Sequence, residues 1–291
     1  MLTEQQSNQE QTTLWNGLAG RAWVEAQVAL DQALRPLEDL LVKKVAEGPG
    51  GRLLDVGCGT GGTTLAIARQ LEAKGSHTGI DKRGCTGIDI SEVMIAAARA
   101  RAEREGTPAD FVRADAQTHP FEPGSFDVIV SRFGVMFFDD FVAAFTNLRR
   151  AAANGAALHF VAWRSAAENP FMTTAERAAA PLLANIPARH PDAPGQFAFA
   201  DRNRVQNILQ SSGWLDVDIR SIDAVCTFPE QELIKYFTLL GPLGRVLHES
   251  DDHTRQKVIE TVRAAFEPYV QGDTVRFTAA CWKVSARAQN P

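Results

Sequence analysis

Between Gly51 and Trp163 short apolar runs alternate with longer segments in which apolar positions recur every three or four residues. GRLLDVG reads as a strand ending in glycines, and TTLAIARQLEAKG as a helix closed by Gly75. A second strand ends in TGIDIS, after which Ser91 suits the N-cap of an alanine-rich helix running to about Glu105. ADFVRAD and SFDVIVS give the third and fourth strands. Phe141, Phe145 and Leu148 give the next helix a buried face, Asn154-Gly155 ends it, and AALHFVAW is the fifth strand. Parallel strands need long crossovers and bury both faces, so this alternation predicts an α/β fold with a Rossmann-like, doubly wound, mostly parallel sheet.

The flanks follow other patterns. Trp23, Gln27, Leu30, Leu34, Leu37 and Leu41 recur at helical spacing, which predicts one helix from Arg21 to about Val45. Residues 1–13 are polar and read as a disordered tail, 14–48 as an N-terminal helical cap and 49–165 as the core. Residues 166–291 read as lid elements plus the last strands of the sheet. Within them Val205, Ile208 and Leu209, and later Val258, Ile259, Val262 and Phe266, mark helices, and LDVDIRSI and VRFTAACWKVSA mark strands. In VRFTAACWKVSA the alternation slips between Cys281 and Trp282, which predicts a bulge.

Composition narrows the function classes. No apolar run reaches the roughly 18 residues of a membrane span, and the first residues lack the basic-then-apolar pattern of a signal peptide. Integral membrane association is therefore not expected. The four cysteines are scattered without CxxC or histidine-paired spacing, so the expectation is reduced thiols in a cytoplasmic protein and no metal site. A net charge of −5 with no basic cluster argues against nucleic acid as a partner. Oligomeric state is not legible.

The chemistry concentrates at Asp55-Val-Gly57-Cys58-Gly59-Thr60-Gly61-Gly62, which follows a strand and opens a helix. Gly57, Gly59 and Gly62 satisfy the GxGxxG of NAD-binding proteins, a weak motif in isolation. Asp55 separates the alternatives. A carboxylate before the loop repels a pyrophosphate, whereas S-adenosylmethionine (SAM) has no phosphate and carries an ammonium group that a carboxylate can accept from. An aspartate closing the second strand can hold ribose hydroxyls, with Ile90 beside it, and Asp115 can accept from the adenine amino group. Ala116 and Gln117 offer polar contacts at the ring edge, and Ser131 and Arg132 fall at the carboxyl end of strand four beside the same crevice.

TGID occurs twice, so two residues compete for the ribose. Asp81 lies 26 positions after Asp55, near the dinucleotide-fingerprint interval, and is followed by Lys-Arg-Gly, a loop signal. Asp89 lies 34 positions on and hands over directly to a helix with Ser91 as cap. The reading favours Asp89, with HTGIDKRG as an inserted loop.

LLDVGCGTG, TGIDIS, ADAQ and SFDVIVSRFGVMFF together resemble the successive motifs of class I SAM-dependent methyltransferases, particularly the branch grouped with ubiquinone and menaquinone biosynthesis C-methyltransferases. The resemblance covers roughly residues 14 to 165, and WNGLAGRAWVEAQ, ENPFM and PGQFAFAD resemble a bacterial subgroup. It implies SAM as cofactor, held by Asp55, Gly57, Cys58, Gly59, Thr60, Gly61, Asp89, Ile90, Asp115, Ala116, Gln117 and Ser131. The resemblance does not specify the acceptor; methyl transfer from a sulfonium is an in-line displacement, and the expected acceptor is a small, apolar or aromatic metabolite. The rivals are an NAD-dependent oxidoreductase and a catalytically inactive SAM-binding module.

Candidate catalytic groups are sparse. His190 falls in the lid, where a merely solvated loop histidine is the competing reading. Arg132 could orient an acceptor or pair structurally with Asp139 or Asp140, aspartates that also suit a helix N-terminus. His159 reads as a satisfied core residue and Cys58 as packing. Phe171, Met172, Phe197 and Phe199 fall in irregular sequence near prolines and could line an apolar pocket, and Trp15 and Trp23 could close the cofactor site.

Overall fold

The computed structural model describes residues 4–73, 84–183, 185–187, 189 and 193–289. Three N-terminal helices, α1 (Glu4–Asn16), α2 (Leu18–Glu25) and α3 (Gln27–Ala46), precede the sheet. The core then alternates β1 (Leu53–Val56), α4 (Gly62–Ala73), β2 (Cys85–Asp89), α5 (Glu92–Glu105), β3 (Asp110–Arg113), β4 (Phe126–Arg132), α6 (Phe141–Ala151) and β5 (Ala152–Trp163). Beyond it come α7 (Pro170–Ala179), α8 (Arg202–Ser211), β6 (Leu215–Pro229), α9 (Leu233–Leu239), α10 (Gly241–Leu247), α11 (Asp252–Ala265), β7 (Val270–Gln271) and β8 (Thr274–Arg287).

The eight strands form one sheet in the order β3-β2-β1-β4-β5-β8-β6, with β7 beside β8. Strands β1 to β5 pair in parallel, and β8 enters antiparallel between β5 and β6. This is the expected doubly wound α/β class. Strand order reverses between β1 and β4, and the crevice beyond the carboxyl ends of those two strands is where such sheets bind ligands.

Local chemistry explains the core elements. All four residues of β1 are buried, because both its faces and both its edges are covered. Ser91 caps α5 by accepting from the Met94 N–H, and Asp140 caps α6 by accepting from Ala143 at 2.8 Å. On α6, Phe141, Ala144, Phe145 and Leu148 are buried at helical spacing against the sheet. Burying a phenylalanine or leucine there contributes about 1.5–3 kcal/mol each.

The structure departs from the sequence reading at four places. Residues 4–13 of the expected disordered tail belong to α1, which reaches the core through Asn16: its side chain donates to Ile90 O at 3.2 Å and accepts from Glu92 N at 2.8 Å. The single helix expected from Arg21 breaks at buried Ala26, so that α2 packs on α1 and α5 while α3 packs on α4 and the sheet. Alanine carries no breaking signal, and packing sets the break. Asn154-Gly155 does not end α6. The chain is already extended at Ala152, which pairs with Phe126, and Gly155 takes φ +78° inside β5.

The bulge at Cys281–Trp282 is also absent. β8 pairs continuously with β5 and β6 there, and Ala280 and Cys281 are both buried because both faces of the sheet are covered. The irregularity lies in β6, between Leu215 and Asp218, where Asp216 has φ +51°. Among the described residues no helix is long and apolar enough to cross a membrane.

Candidate active site

The loop between β1 and α4 turns back over the end of β2. Gly57 and Cys58 both donate to Ile88 O, at 2.9 and 3.1 Å. Gly57 has φ +67°, and a Cβ there would lie 2.6 Å from Gly134 Cα, so its glycine is required by the loop that follows β4. Gly59, at φ +55°, has only Met94 Sδ within reach of a Cβ, at 3.8 Å. It faces open space.

Asp89 closes β2 and ties the loop down. One carboxylate oxygen accepts from Gly59 N at 2.9 Å, and the other from Ser91 N at 2.8 Å. Each oxygen keeps a lone pair for a further donor such as a ribose hydroxyl. Burial raises the Asp89 pKa against the lowering effect of these bonds. Asp81 lies outside the described residues.

Beside the loop is a small cavity of about 40 Å³ that brings Asp31, Asp55, Cys58, Thr60, Thr63 and Arg132 to one wall. Asp55 is 1% exposed; one of its oxygens accepts from Thr64 Oγ1 at 2.6 Å, while the other, Oδ1, has no partner. Burial pushes its pKa up to about 6. Thr63 Oγ1 and Arg132 Nη1 are likewise buried without a hydrogen-bond partner. Arg132 sits 3.9 Å from Asp31 and 4.0 Å from Glu38, a pairing with α3 and not with Asp139 or Asp140. Two unsatisfied acceptors or hydroxyls beside an unsatisfied guanidinium are complementary to an amino-acid zwitterion, which carries both an ammonium and a carboxylate.

On the far side of β2, Asp115 holds a turn. It accepts from Gln117 N at 2.9 Å and from Thr118 Oγ1 at 3.4 Å. Ala116 O accepts from Asn147 at 3.0 Å, and the Gln117 side chain accepts from Asp140 N at 3.1 Å. Ser131 is fully buried and lines neither the small cavity nor the larger one described next. Its hydroxyl donates to Val56 O at 2.7 Å and accepts from Gly134 and Val135 N–H groups. Its hydroxyl thereby ties the end of β1 to the loop after β4.

A second cavity of about 600 Å³ opens next to the first, and the two share Trp23, Leu30, Leu34 and Phe133. Trp15 packs edge-on against Trp23 and Phe137, at 6.1 and 5.1 Å between ring centres. Phe133 takes φ +69°, a conformation costing on the order of 1–3 kcal/mol for a bulky residue, and is held there by stacking on Trp163 at 4.5 Å. Phe171, Met172 and Phe197 line the cavity, whereas Phe199 is in the core against Phe141, Phe145 and Phe160.

Residues 53–155 match the family model described as a methyltransferase domain. Over those residues the core of this chain is similar to methyltransferase domains. The chain is 32% identical over 145 residues to an uncharacterized protein of Mycobacterium tuberculosis, covering 48% of each. It is 36% identical over 117 residues to the mitochondrial 2-methoxy-6-polyprenyl-1,4-benzoquinol methylase of Leishmania donovani, covering 38% of this chain and 41% of that one. The chain thus spans about half the length, or less, of these curated relatives. The solved YcgJ protein of Bacillus subtilis shares the fold at a TM-score of 0.54 and 18% identity, over 87% of this chain and 98% of that one. The likeness to quinone methyltransferases holds at the level of the domain and does not single out a branch.

Within the matched region the structure gathers Asp55, the glycine loop and Asp89, with Ile90 next in the chain, at the carboxyl ends of β1 and β2. His190 lies outside the described residues. His159 bonds Ser285 Oγ at 2.9 Å inside β5, and burial lowers its pKa to about 4, as suits a core histidine. Cys58 is buried with its thiol pKa pushed well up by burial, which leaves no thiolate for chemistry. Sequence reasoning missed Asp31 and Glu38, which meet Arg132 from α3, and Phe133. Their signal is faint, since two acids on a helix face read as solvated and φ has no sequence mark in phenylalanine.

Proposed function

We propose that this chain transfers the methyl group of SAM to a small, apolar or aromatic metabolite by in-line displacement. The observation that carries the reading is the pair of adjoining cavities: a polar one at the glycine loop and a large apolar one, sharing Trp23, Leu30, Leu34 and Phe133 as their common wall. SAM, when bound, supplies an electrophilic methyl on a sulfonium.

The chain's residues then have separable tasks. Asp55 and Arg132 take the ammonium and carboxylate of the methionine moiety. Asp89 accepts from the ribose, and the Asp115–Gln117 turn borders the adenine. Trp15, Trp23 and Phe133 exclude water and hold the acceptor against the loop. Loss of charge in such a displacement needs alignment and a dry site, so the aromatic wall does most of the work. Glu176, a carboxylate lining the apolar cavity, is paired with Arg189.

A cytoplasmic setting belongs to this reading and rests on four free, buried cysteines. Nucleic acid is left out as an acceptor because the chain has a net charge of −5. The test is incubation of purified protein with methyl-labelled SAM and a cell metabolite extract. Label should pass to an organic-soluble product with wild type and not with Asp89→Ala. Absence of transfer together with binding of NADH in place of SAM would overturn the reading in favour of an oxidoreductase.

A further inference from the structure

The large cavity has an asymmetry that an apolar acceptor alone does not explain. Of its described lining residues only Glu176, Arg189 and Arg245 are charged. Glu176, on α7, is held by Arg189 in a two-pronged pair, Nε to Oε2 at 2.8 Å and Nη2 to Oε1 at 2.5 Å, and Arg189 also lies over the Phe197 ring at 4.9 Å. That pair is neutral. Arg245, on α10, is half-buried and makes no hydrogen bond or ion pair with any described residue. A guanidinium partly withdrawn from water without a described partner loses hydration that nothing replaces, and its planar donors match a carboxylate.

We infer that Arg245 is an anion-binding residue of the acceptor cavity and selects acceptors that carry one negative charge, a carboxylate, on an otherwise apolar body. This rests on the reading of the large cavity as the acceptor site. One charge is argued from the count among the described lining residues, where two arginines against one glutamate leave a single positive charge in excess. Burial and the neighbouring Arg189 both lower the Arg245 pKa, with Glu176 opposing, so an anion beside Arg245 would stabilise its charged form. The cavity's volume of about 600 Å³ suits a ligand of small-molecule size. Arg245 lies outside the wall shared with the small cavity, so the charge is recognised away from the glycine loop.

The experiment uses two fluorescent probes with the same ring system, anionic 8-anilinonaphthalene-1-sulfonate and neutral N-phenyl-1-naphthylamine. Wild type should bind the anion at least tenfold more tightly. Arg245→Met should lose that preference while the neutral probe binds within twofold of wild type, and Arg245→Lys should keep part of it. Decanoate should displace the anionic probe from wild type, and decyl phosphate should do so no better. Melting curves verify that each variant is folded, and SAM titration is run alongside. Equal binding of the two probes by wild type, a preference that survives Arg245→Met, or stronger displacement by decyl phosphate overturns the inference. If SAM also fails to bind wild type, the methyltransferase reading falls as well, and the two failures are told apart.

Discussion

The two cavities are built by opposite means. The glycine-loop corner comes from a few residues close in sequence to three strand ends, and its polar atoms are positioned by backbone contacts: Gly57 against Gly134, Gly59 N on Asp89, Ser131 on Val56. The acceptor wall is gathered from α1 to α3, the ends of β4 and β5, α7 and the α9–α10 pair, and it is held by aromatic packing. A corner of the first kind tolerates little change, because backbone cannot yield. A wall of the second kind can vary side chain by side chain while the scaffold stays.

The comparison breaks first at Gly57. Gly57→Val should fail to give soluble folded protein, since a Cβ 2.6 Å from Gly134 Cα forces backbone apart. Gly59→Ala, with open space around its Cβ, should fold with a cost of about 1 kcal/mol for its positive φ and lose SAM affinity. Circular dichroism and titration on both variants check the pair; a folded Gly57→Val protein that merely lacks binding would return Gly57 to the ligand.

Next in size is a pH effect. The folded-state pKa of Asp55 is raised from 3.8 to about 6, so the folded protein holds more protons than the unfolded chain between those values. Stability therefore falls as pH rises through that window and levels off above it, by up to about 3 kcal/mol for this group. Asp55→Asn removes the effect. Its melting temperature relative to wild type should climb between pH 4 and pH 6.5, and a difference that is flat with pH refutes the buried, partnerless Oδ1.

Asp89→Ala should weaken SAM by about 1.5–3 kcal/mol, the range for a hydrogen bond to a charged group, and should also free the Gly59 N–H. On the acceptor side, Trp15→Ala should raise the acceptor KM several-fold while leaving the SAM dissociation constant within about twofold. Equal loss of both would mean that the two cavities are not separate. The smallest expected effect is at the amino ends of β1 and β4, where Arg52→Ala removes an exposed ion pair with Asp127 and should cost under about 1 kcal/mol.

The same contrast explains what could be read from sequence. The strands and helices from β1 to β5 follow from apolar periodicity and caps such as Ser91 and Asp140, which act within one turn. Asp89 was legible because the strand hands over directly to a capped helix. The inward bonds of Ser131 were not legible, because position at a strand end does not say which way a hydroxyl points. The break at Ala26 and the strain at Phe133 arise from distant packing, on α5 and Trp163, and leave no local trace. Arg245 was invisible for the same reason. Nothing in GPLGRVLHES indicates that an arginine will face a cavity whose other described charges are a paired Glu176 and Arg189.

The central claim is that the glycine-loop corner binds SAM, and isothermal titration of the full chain with SAM and, separately, NADH tests it most directly. The account predicts one SAM per chain, no NADH binding, and loss of most SAM affinity in a folded Asp89→Ala variant. NADH binding without SAM, or SAM affinity unchanged by Asp89→Ala, would contradict it.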